Sequence, residues 1–338
     1  MTHEFKDQVS LAPFTTFHIG GPARLFVEIH TEEDLKTAFA LSRERGLPLF
    51  VLGAGSNVLV PDDGVEGIVA RMLIDGMSFE DPELLVAGAG VLWDGVVDVA
   101  AAYGVYGIEN LAGIPGTLGG AVVQNIGAYG AELKDVFEYA DVIDSTTGES
   151  RRIRLDEAAF AYRTSLFKEH RELIITGIAL RLKRQALPNV AYADLARARE
   201  LGTPLTTPRE IALAVRDIRA LKFPDKALEG TAGSFFKNPV IPPAQAAALR
   251  ERFPEVPLFP QEDGQMKVSL AWLLDHVLSL KGYAEGAVRC YEKQPLVIVA
   301  RSGATAREVH AFADSIATRV LTEVGIEIER EVESFGTR

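Results

Sequence analysis

The chain has 338 residues, 47% hydrophobic and 24% charged, with a net charge of −12. This is ordinary globular composition over a length that predicts two or three domains. The acidic balance argues against a nucleic-acid backbone or an anionic membrane as partner, so an anionic ligand has to be held by local basic residues.

The single cysteine, Cys290, excludes an internal disulfide framework and suits a reducing compartment. Its plainer reading is a packed residue, since no histidine lies near it in sequence. Histidines 3, 18, 30, 170, 276 and 310 are scattered without metal-ligand spacing, and no metal site is expected. Met1–Asp7 lacks the basic-then-apolar pattern of a secretory signal, and no apolar run is long enough to span a bilayer. A cytoplasmic protein is expected.

In chain order, Thr31-Glu32-Glu33-Asp34 reads as a capping box opening a helix that Gly46 closes, with Leu35, Ala38, Phe39 and Ser42 as its stripe. Leu47 to Leu52 reads as a buried strand running into Gly53-Ala54-Gly55-Ser56-Asn57. A dinucleotide fingerprint of the Rossmann kind needs a third glycine or alanine and a helix directly after the turn. Here Val58 stands at that position, and Val58-Leu59-Val60-Pro61 continues as strand and turn. That reading fails, and a phosphate-binding turn between strands survives.

Residues 65 to 92 alternate short apolar runs with turns and predict further strands. Trp93 to Tyr103 reads as a helix stopped by Gly104. Residues 107 to 130 hold seven glycines among Asn110, Gln124 and Asn125 with almost no charge. The plainer reading is a set of tight turns. A nucleotide or flavin cradle, with backbone N–H groups for a diphosphate, accounts better for the composition.

Residues 133 to 182 read as strands with a helical turn near Asp156 to Phe160. Thr207-Pro208-Arg209-Glu210 caps a further helix carrying Ile211, Ala214, Val215, Ile218 and Leu221, which Lys222-Phe223-Pro224-Asp225 breaks at a domain joint. From 231 to 324 helical patterns dominate, including Ser269 to Leu280. The last helix, Thr305 to Val324, has a Thr305/Glu308 capping box and a Val309, Phe312, Ile316, Val320 stripe. Ile326 to Val332 alternates as a final strand.

The stretch Gly230-Thr231-Ala232-Gly233-Ser234-Phe235-Phe236-Lys237-Asn238-Pro239 combines flexible glycines, two aromatics and three different polar heads. It reads as a binding-site wall in which Ser234 can move a proton. A turn or cap serine is the commoner fate of such a Gly-Ser pair.

Several motifs in this order and spacing form a known pattern: Gly53–Asn57, Ile114-Pro115-Gly116, Gln124-Asn125-Ile126-Gly127-Ala128-Tyr129-Gly130, Tyr162-Arg163, Ala232–Pro239 and Glu331-Val332. Over nearly its whole length the chain resembles the UDP-N-acetylenolpyruvoylglucosamine reductase family, in its longer form. The resemblance implies an α+β chain, with a two-subdomain FAD-binding fold of the vanillyl-alcohol oxidase type and a smaller substrate-binding domain. It implies a first subdomain at 1–71 joined by the C-terminal strand 325–338, a second at 72–223 and the substrate domain at 224–324.

The implied chemistry is reduction of FAD by NADPH, then of an enolpyruvyl ether on a UDP-sugar. Arg163 matches the arginine that holds the substrate carboxylate and stabilises charge developing beside it. Ser234 matches the serine that protonates the carbanion. Glu331 matches an acidic partner, which has to be protonated or bound to Arg163 to avoid repelling that charge. Gly53, Gly55, Ser56, Asn57, Ile114, Pro115, Gly116, Gly119, Gly120, Asn125, Gly127 and Ala128 match the FAD loops. Tyr129, Tyr162, Tyr192, Lys222, Asn238 and Gln294 match substrate contacts, Tyr192 being the mobile-loop tyrosine of the longer form.

One departure is Glu333, where a basic residue commonly follows the valine of the terminal motif. The expected partners are the UDP-sugar and NADPH, with the protein a monomer. An FAD-dependent alcohol oxidase of the same fold and a non-enzymatic nucleotide-binding module are the alternatives. The flavin loops hold no histidine or cysteine for a covalent link. Purified protein should therefore be yellow and release FAD on denaturation; a colourless protein would favour the nucleotide-binding module.

Overall fold

The computed structural model describes residues 4–225, 229–261 and 263–337. The chain divides into two compact units. One takes the N-terminal residues through Val9, Pro22–Gly55 and Val65–Ala220; the other takes Ser10–Gly21, Ser56–Gly64 and the chain from Leu221 onward.

The first unit contains two sheets. One has the strand order Lys6–Ser10, Pro22–Ile29, Val65–Met72, Leu49–Leu52. Val65–Met72 pairs parallel with the neighbour on each side. Parallel neighbours need a crossover, and the helix Glu32–Arg45 lies between two of these strands in sequence, burying Leu35, Ala38 and Phe39. Its start is a reciprocal cap: Asp34 N donates to Thr31 Oγ1 (3.2 Å) and Thr31 N to Asp34 Oδ2 (2.7 Å). Its end is Gly46 at φ 60°, a left-handed position that glycine takes without strain.

The other sheet of this unit is antiparallel, in the order Ser150–Arg154, Phe137–Asp144, Leu173–Arg181, Leu84–Gly88, Met77–Asp81. The helix Trp93–Tyr103 buries Trp93, Val96, Val97 and Ala100. The indole N–H of Trp93 donates to Leu111 O at 2.9 Å, so a fully buried ring loses no hydrogen bond.

The second unit is built on short strands and two longer helices. Val240–Ile241, Met266–Val268 and Leu258–Pro260 form one small sheet, and Ala284–Glu285, Val288–Cys290 and Ile298–Ala300 another. The helix Ala306–Val324 drives Val309, Phe312, Ile316 and Val320 into the core beneath a Thr305/Glu308 capping box. Glu333–Ser334 returns to pair parallel with Val58–Leu59. Among the described residues, no helix is long and apolar enough to cross a membrane.

Four local expectations are corrected. Ile326–Val332 is not a regular strand: Ile326 is buried between exposed neighbours, but backbone pairing is confined to an isolated Phe236–Arg330 bridge, and the strand residues come later, at Glu333–Ser334. The side-chain alternation is real while the ladder is absent. The helical turn expected near 156–160 stops short: residues 155–157 form a turn closed by Ala158 N on Arg154 O at 3.0 Å, and the short helix of that region lies at Leu166–Glu169. Helices hold more residues than strands between 231 and 324, as expected, but strands of two or three residues, too short a period to read, stand among them, and Ser269–Leu280 is not one regular helix: it contains one α-turn and a π-segment, Leu273–Val277. Leu221 is 68% exposed, since the last turn of the helix Pro208–Lys222 runs past the core that buries Ile211, Ala214 and Val215.

Cys290 is fully buried, and burial pushes its thiol up to about 12. A thiolate is the reactive species. Native protein should therefore show no reaction with a disulfide reagent at pH 8, and one equivalent of thiol should appear on denaturation; rapid labelling of the native state would contradict this packing.

Candidate active site

In the first unit, the turn after Leu49–Leu52 presses on the turn before the short helix Leu118–Val123. A Cβ on Gly53 would stand 2.7 Å from Thr117 Oγ1, and one on Gly119 would stand 3.1 Å from Ala89 Cβ. Gly113 and Gly116 have φ of 70° and 135°, so the Ile114-Pro115-Gly116 loop is shaped at both flanks by backbone that glycine adopts freely. Arg219 Nε donates to Gly113 O (3.1 Å), while Gly113 N donates to Asp94 Oδ1 (2.6 Å). Asp94 in turn takes Arg216 from the same helix as Arg219.

Asn125 organises the next turn. It is 1% exposed and has φ 42°. Its Nδ2 donates to Ala161 O (3.0 Å) and Glu132 Oε2 (3.3 Å), and its Oδ1 accepts from Lys134 N (3.1 Å). Ala161 and Thr164 exchange backbone hydrogen bonds at 3.1 and 3.2 Å, which puts Tyr162 and Arg163 at the corners of a tight turn. Arg163 takes φ 58°, a conformation that costs a side-chain-bearing residue about 1–2 kcal/mol. Lys168 Nζ on Arg163 O (3.3 Å) and Arg163 Nη2 on Gly127 O (2.9 Å) hold it there. Its guanidinium lies 5.3 Å from the Tyr162 ring centroid.

Tyr129, also left-handed at φ 48°, packs edge-on against Tyr192 at 5.3 Å between centroids. Burial pushes the Tyr129 hydroxyl up to about 12, opposed by the Arg219 guanidinium hydrogen-bonded to it. Asn110 Nδ2 donates to Tyr129 O (2.8 Å) and Asn189 O (2.7 Å), leaving its buried Oδ1 without a hydrogen-bond partner among the described residues. An orphaned buried acceptor is costly and is the kind of atom a bound molecule or water satisfies. Closely apposed glycine turns, left-handed backbone and this orphaned acceptor fit a flavin nucleotide in this unit.

In the second unit, the segment carrying Ser234 runs between two chains. Phe235 N donates to Leu296 O (2.9 Å) and Phe235 O accepts from Glu331 N (2.8 Å). Ser234 itself bridges Val297. Gly230 lies so close to the Phe17 backbone that a Cβ would meet Phe17 O at 2.0 Å, which excludes every other residue there. Phe235 and Phe236 are each 1% exposed and pack edge-on at 5.3 Å. They anchor the segment while Ser234 stays half-buried. No histidine or carboxylate hydrogen-bonds the Ser234 hydroxyl among the described residues. Asn57 Nδ2 donates to Glu331 O at 3.1 Å.

Comparison with known proteins decides the family. A family described as FAD binding domain matches residues 23–154, and one described as UDP-N-acetylenolpyruvoylglucosamine reductase, C-terminal domain, matches residues 224–335. The UDP-N-acetylenolpyruvoylglucosamine reductase of Pseudomonas aeruginosa is 41% identical over 98% of this chain and 99% of its own length. The chain belongs to the UDP-N-acetylenolpyruvoylglucosamine reductase family. That of Chromobacterium violaceum is 38% identical over 98% of this chain and 99% of its own length. The crystal structure of the reductase from Thermus caldophilus superposes with a TM-score of 0.69 at 28% identity, covering 98% of this chain and 99% of that one. The fold is therefore the FAD-binding fold of this reductase family, with mixed helices and sheets.

The residues expected from the family pattern divide between the two units. Gly53, Gly55, Ile114–Gly120, Asn125–Tyr129, Tyr162, Arg163 and Tyr192 belong to the first; Ser56, Asn57, Lys222, Ser234, Asn238, Gln294 and Glu331 belong to the second. Some of them also have local duties. Asn238 Oδ1 accepts from Leu270 N at 3.0 Å at a helix start, and Gln294 Oε1 accepts from Leu296 N at 3.4 Å. Asn110 is one of the amides read in the glycine-rich run, whereas Glu109, Thr117 and Arg219 carry no such signal in the sequence. The one pointer to Arg219 is its place three residues after Arg216, on the polar flank of a helix whose other face is apolar. Among the described residues, no group of three or more His, Cys, Asp or Glu side chains could hold a metal ion.

Glu109 sits 5% exposed at the start of this loop region, its Oε2 accepting from Gly107 N at 2.6 Å. Burial raises its pKa despite the backbone hydrogen bonds. A carboxyl with a raised folded pKa binds its proton more tightly folded than unfolded, so its contribution to stability falls as pH rises from the ordinary carboxylate range. Glu109→Gln, which keeps an acceptor for Gly107 N, should gain stability relative to the parent as pH goes from 4.5 to 8, measured by denaturant melts across that range. A difference independent of pH would show that Glu109 does not titrate as its burial requires.

Proposed function

We propose that the chain carries out the family reaction: NADPH-dependent reduction of UDP-N-acetylenolpyruvoylglucosamine to UDP-N-acetylmuramate, a step of peptidoglycan precursor synthesis. FAD, when bound, supplies the two-electron chemistry between NADPH and substrate. The first-unit turns at Gly53, Gly55, Ile114–Gly116, Gly119, Gly120 and Asn125–Ala128 would hold it, with Ser56 and Asn57 continuing the chain. The observation that carries the reading is the Ser234 hydroxyl. It is half-buried, fixed by its neighbours' backbone bonds, and has no base among the described residues to make it a nucleophile.

Reduction adds hydride to the terminal enolpyruvyl carbon and leaves negative charge on the adjacent carbon and its carboxylate. The Arg163 guanidinium, set by its left-handed turn, binds that carboxylate and stabilises the charge as it develops. Ser234 then gives its proton to the carbon. A hydroxyl is a weak acid, and it suffices here because the acceptor is a strong base. Glu331 completes the site; its main chain is hydrogen-bonded to Phe235, the residue after Ser234. Tyr129, Tyr162, Tyr192, Lys222, Asn238 and Gln294 serve the UDP-sugar. A cytoplasmic, monomeric enzyme is part of the same proposal. The alcohol-oxidase alternative gives Ser234 no strong base to protonate.

Ser234→Ala should leave bleaching of the flavin by NADPH intact and slow product formation by about 10²–10⁴-fold, the usual worth of positioned proton transfer. Anaerobic stopped-flow separates the two half-reactions. Normal product formation by this variant would overturn the proton-donor role.

A further inference from the structure

Arg330 immediately precedes Glu331, and its side chain is fastened to one turn of the helix Ala306–Val324. Its Nη1 donates to His310 Nδ1 (2.5 Å); its Nη2 donates to Asp314 Oδ1 (2.6 Å) and to His310 O (3.3 Å). The helix is a firm support. Val309, Phe312, Ala313 and Ile316 are buried, and Asp62 accepts from Ala306 N (2.7 Å) and Arg307 N (3.0 Å) at the helix start. On its main-chain side Arg330 bridges Phe236, and the flanking bonds are Lys237 N to Glu329 O (2.9 Å) and Glu331 N to Phe235 O (2.8 Å). One arginine thus ties the chain bearing Glu331 both to the helix and to the segment bearing Ser234.

We propose that His310 and Arg330 are positioning residues that hold Glu331 in register beside the Ser234 segment, and that protonation of His310 releases this hold. The inference rests on the reading of Glu331 as a residue of the reduction site. Nδ1 accepts from a guanidinium only when the imidazole is neutral with its proton on Nε2. Adding a proton removes the acceptor and sets two cations against each other. The charged groups facing His310 are Arg330 from the C-terminal segment, Asp314 from its own helix and Asp62 from the 56–64 loop. Burial and then Arg330 hold the imidazole below its ordinary range, opposed by Asp314 and Asp62. A depressed histidine favours the folded, tethered form above its folded pKa and loses that preference as pH falls through it.

The test uses full-length holoenzyme and follows both half-reactions from pH 5 to 8, with ¹⁵N NMR of the histidine rings. The parent should show His310 protonated on Nε2 at pH 8, and substrate reduction should slow as that ring titrates. His310→Ala and Arg330→Met should slow substrate reduction about tenfold at pH 8 and leave NADPH bleaching unchanged. His310→Asn places an amide oxygen where Nδ1 stands and cannot titrate. It should retain most of the rate and lose the acid limb, and it serves as the folded variant should the alanine be unstable. His310→Ala with the parent rate and pH profile would overturn the tether, as would His310→Asn keeping the acid limb. Glu331→Gln is the control arm: slow substrate reduction there with normal His310→Ala sinks the tether alone, whereas normal reduction by Glu331→Gln sinks the reading beneath it.

Discussion

The turn that carries Tyr162 and Arg163 depends on one buried amide. Asn125 spends both ends of its side chain on main-chain and carboxylate partners, and through Ala161 O it suspends the turn that carries Tyr162 and Arg163. Arg163 occupies a backbone conformation that a free chain avoids. Such strain persists only where surrounding bonds over-determine it. Here the determinants are Asn125, Lys168 and the Gly127 carbonyl. In the proposed reaction a guanidinium placed this way would be set before substrate arrives, and preorganisation is what makes charge stabilisation effective in a transition state. In the proposed reaction Asn125 would act through Arg163, its own side chain being committed to protein partners.

The second unit solves a different problem. In the role proposed for it, Ser234 must be held still yet not be drained by an acceptor of its own. Backbone bonds at Phe235 and the burial of two adjacent phenylalanines supply the rigidity without touching the hydroxyl. Gly230 contributes by absence of a side chain, letting the segment lie against Phe17. The same segment is the hydrogen-bonding partner of Glu331's main chain, so two groups far apart in sequence are set by one short stretch of backbone.

Long periodic elements were legible from sequence because each carries its own punctuation. The helices Glu32–Arg45 and Ala306–Val324 begin in capping boxes and end at left-handed glycines, all visible as residue types. The short strands of the second unit were not, since two or three residues give no period to detect and their pairing is decided by distant partners. The same limit governs the site. Glycine turns, Ser234 and Arg163 could be singled out from composition and family pattern. The links among Asp94, Arg216, Arg219 and Gly113, or between His310 and Arg330, could not, because each joins residues whose proximity only the fold creates.

The departure at Glu333 illustrates how backbone and side chain divide the work. The family resemblance implies a basic residue there, and Glu333 instead places a second carboxylate two residues from Glu331. Beyond the Arg330 tether, main-chain bonds hold the residues that follow Glu331: Glu333 N donates to Asn57 O at 3.1 Å, Phe335 N to Leu59 O at 2.9 Å, and Glu333–Ser334 pairs parallel with Val58–Leu59. Main-chain bonds are indifferent to side-chain charge. Asn57 Nδ2 adds a further bond to Glu331 O, again to the main chain. The pairing at Glu333–Ser334 therefore does not depend on the charge carried by the side chain at 333.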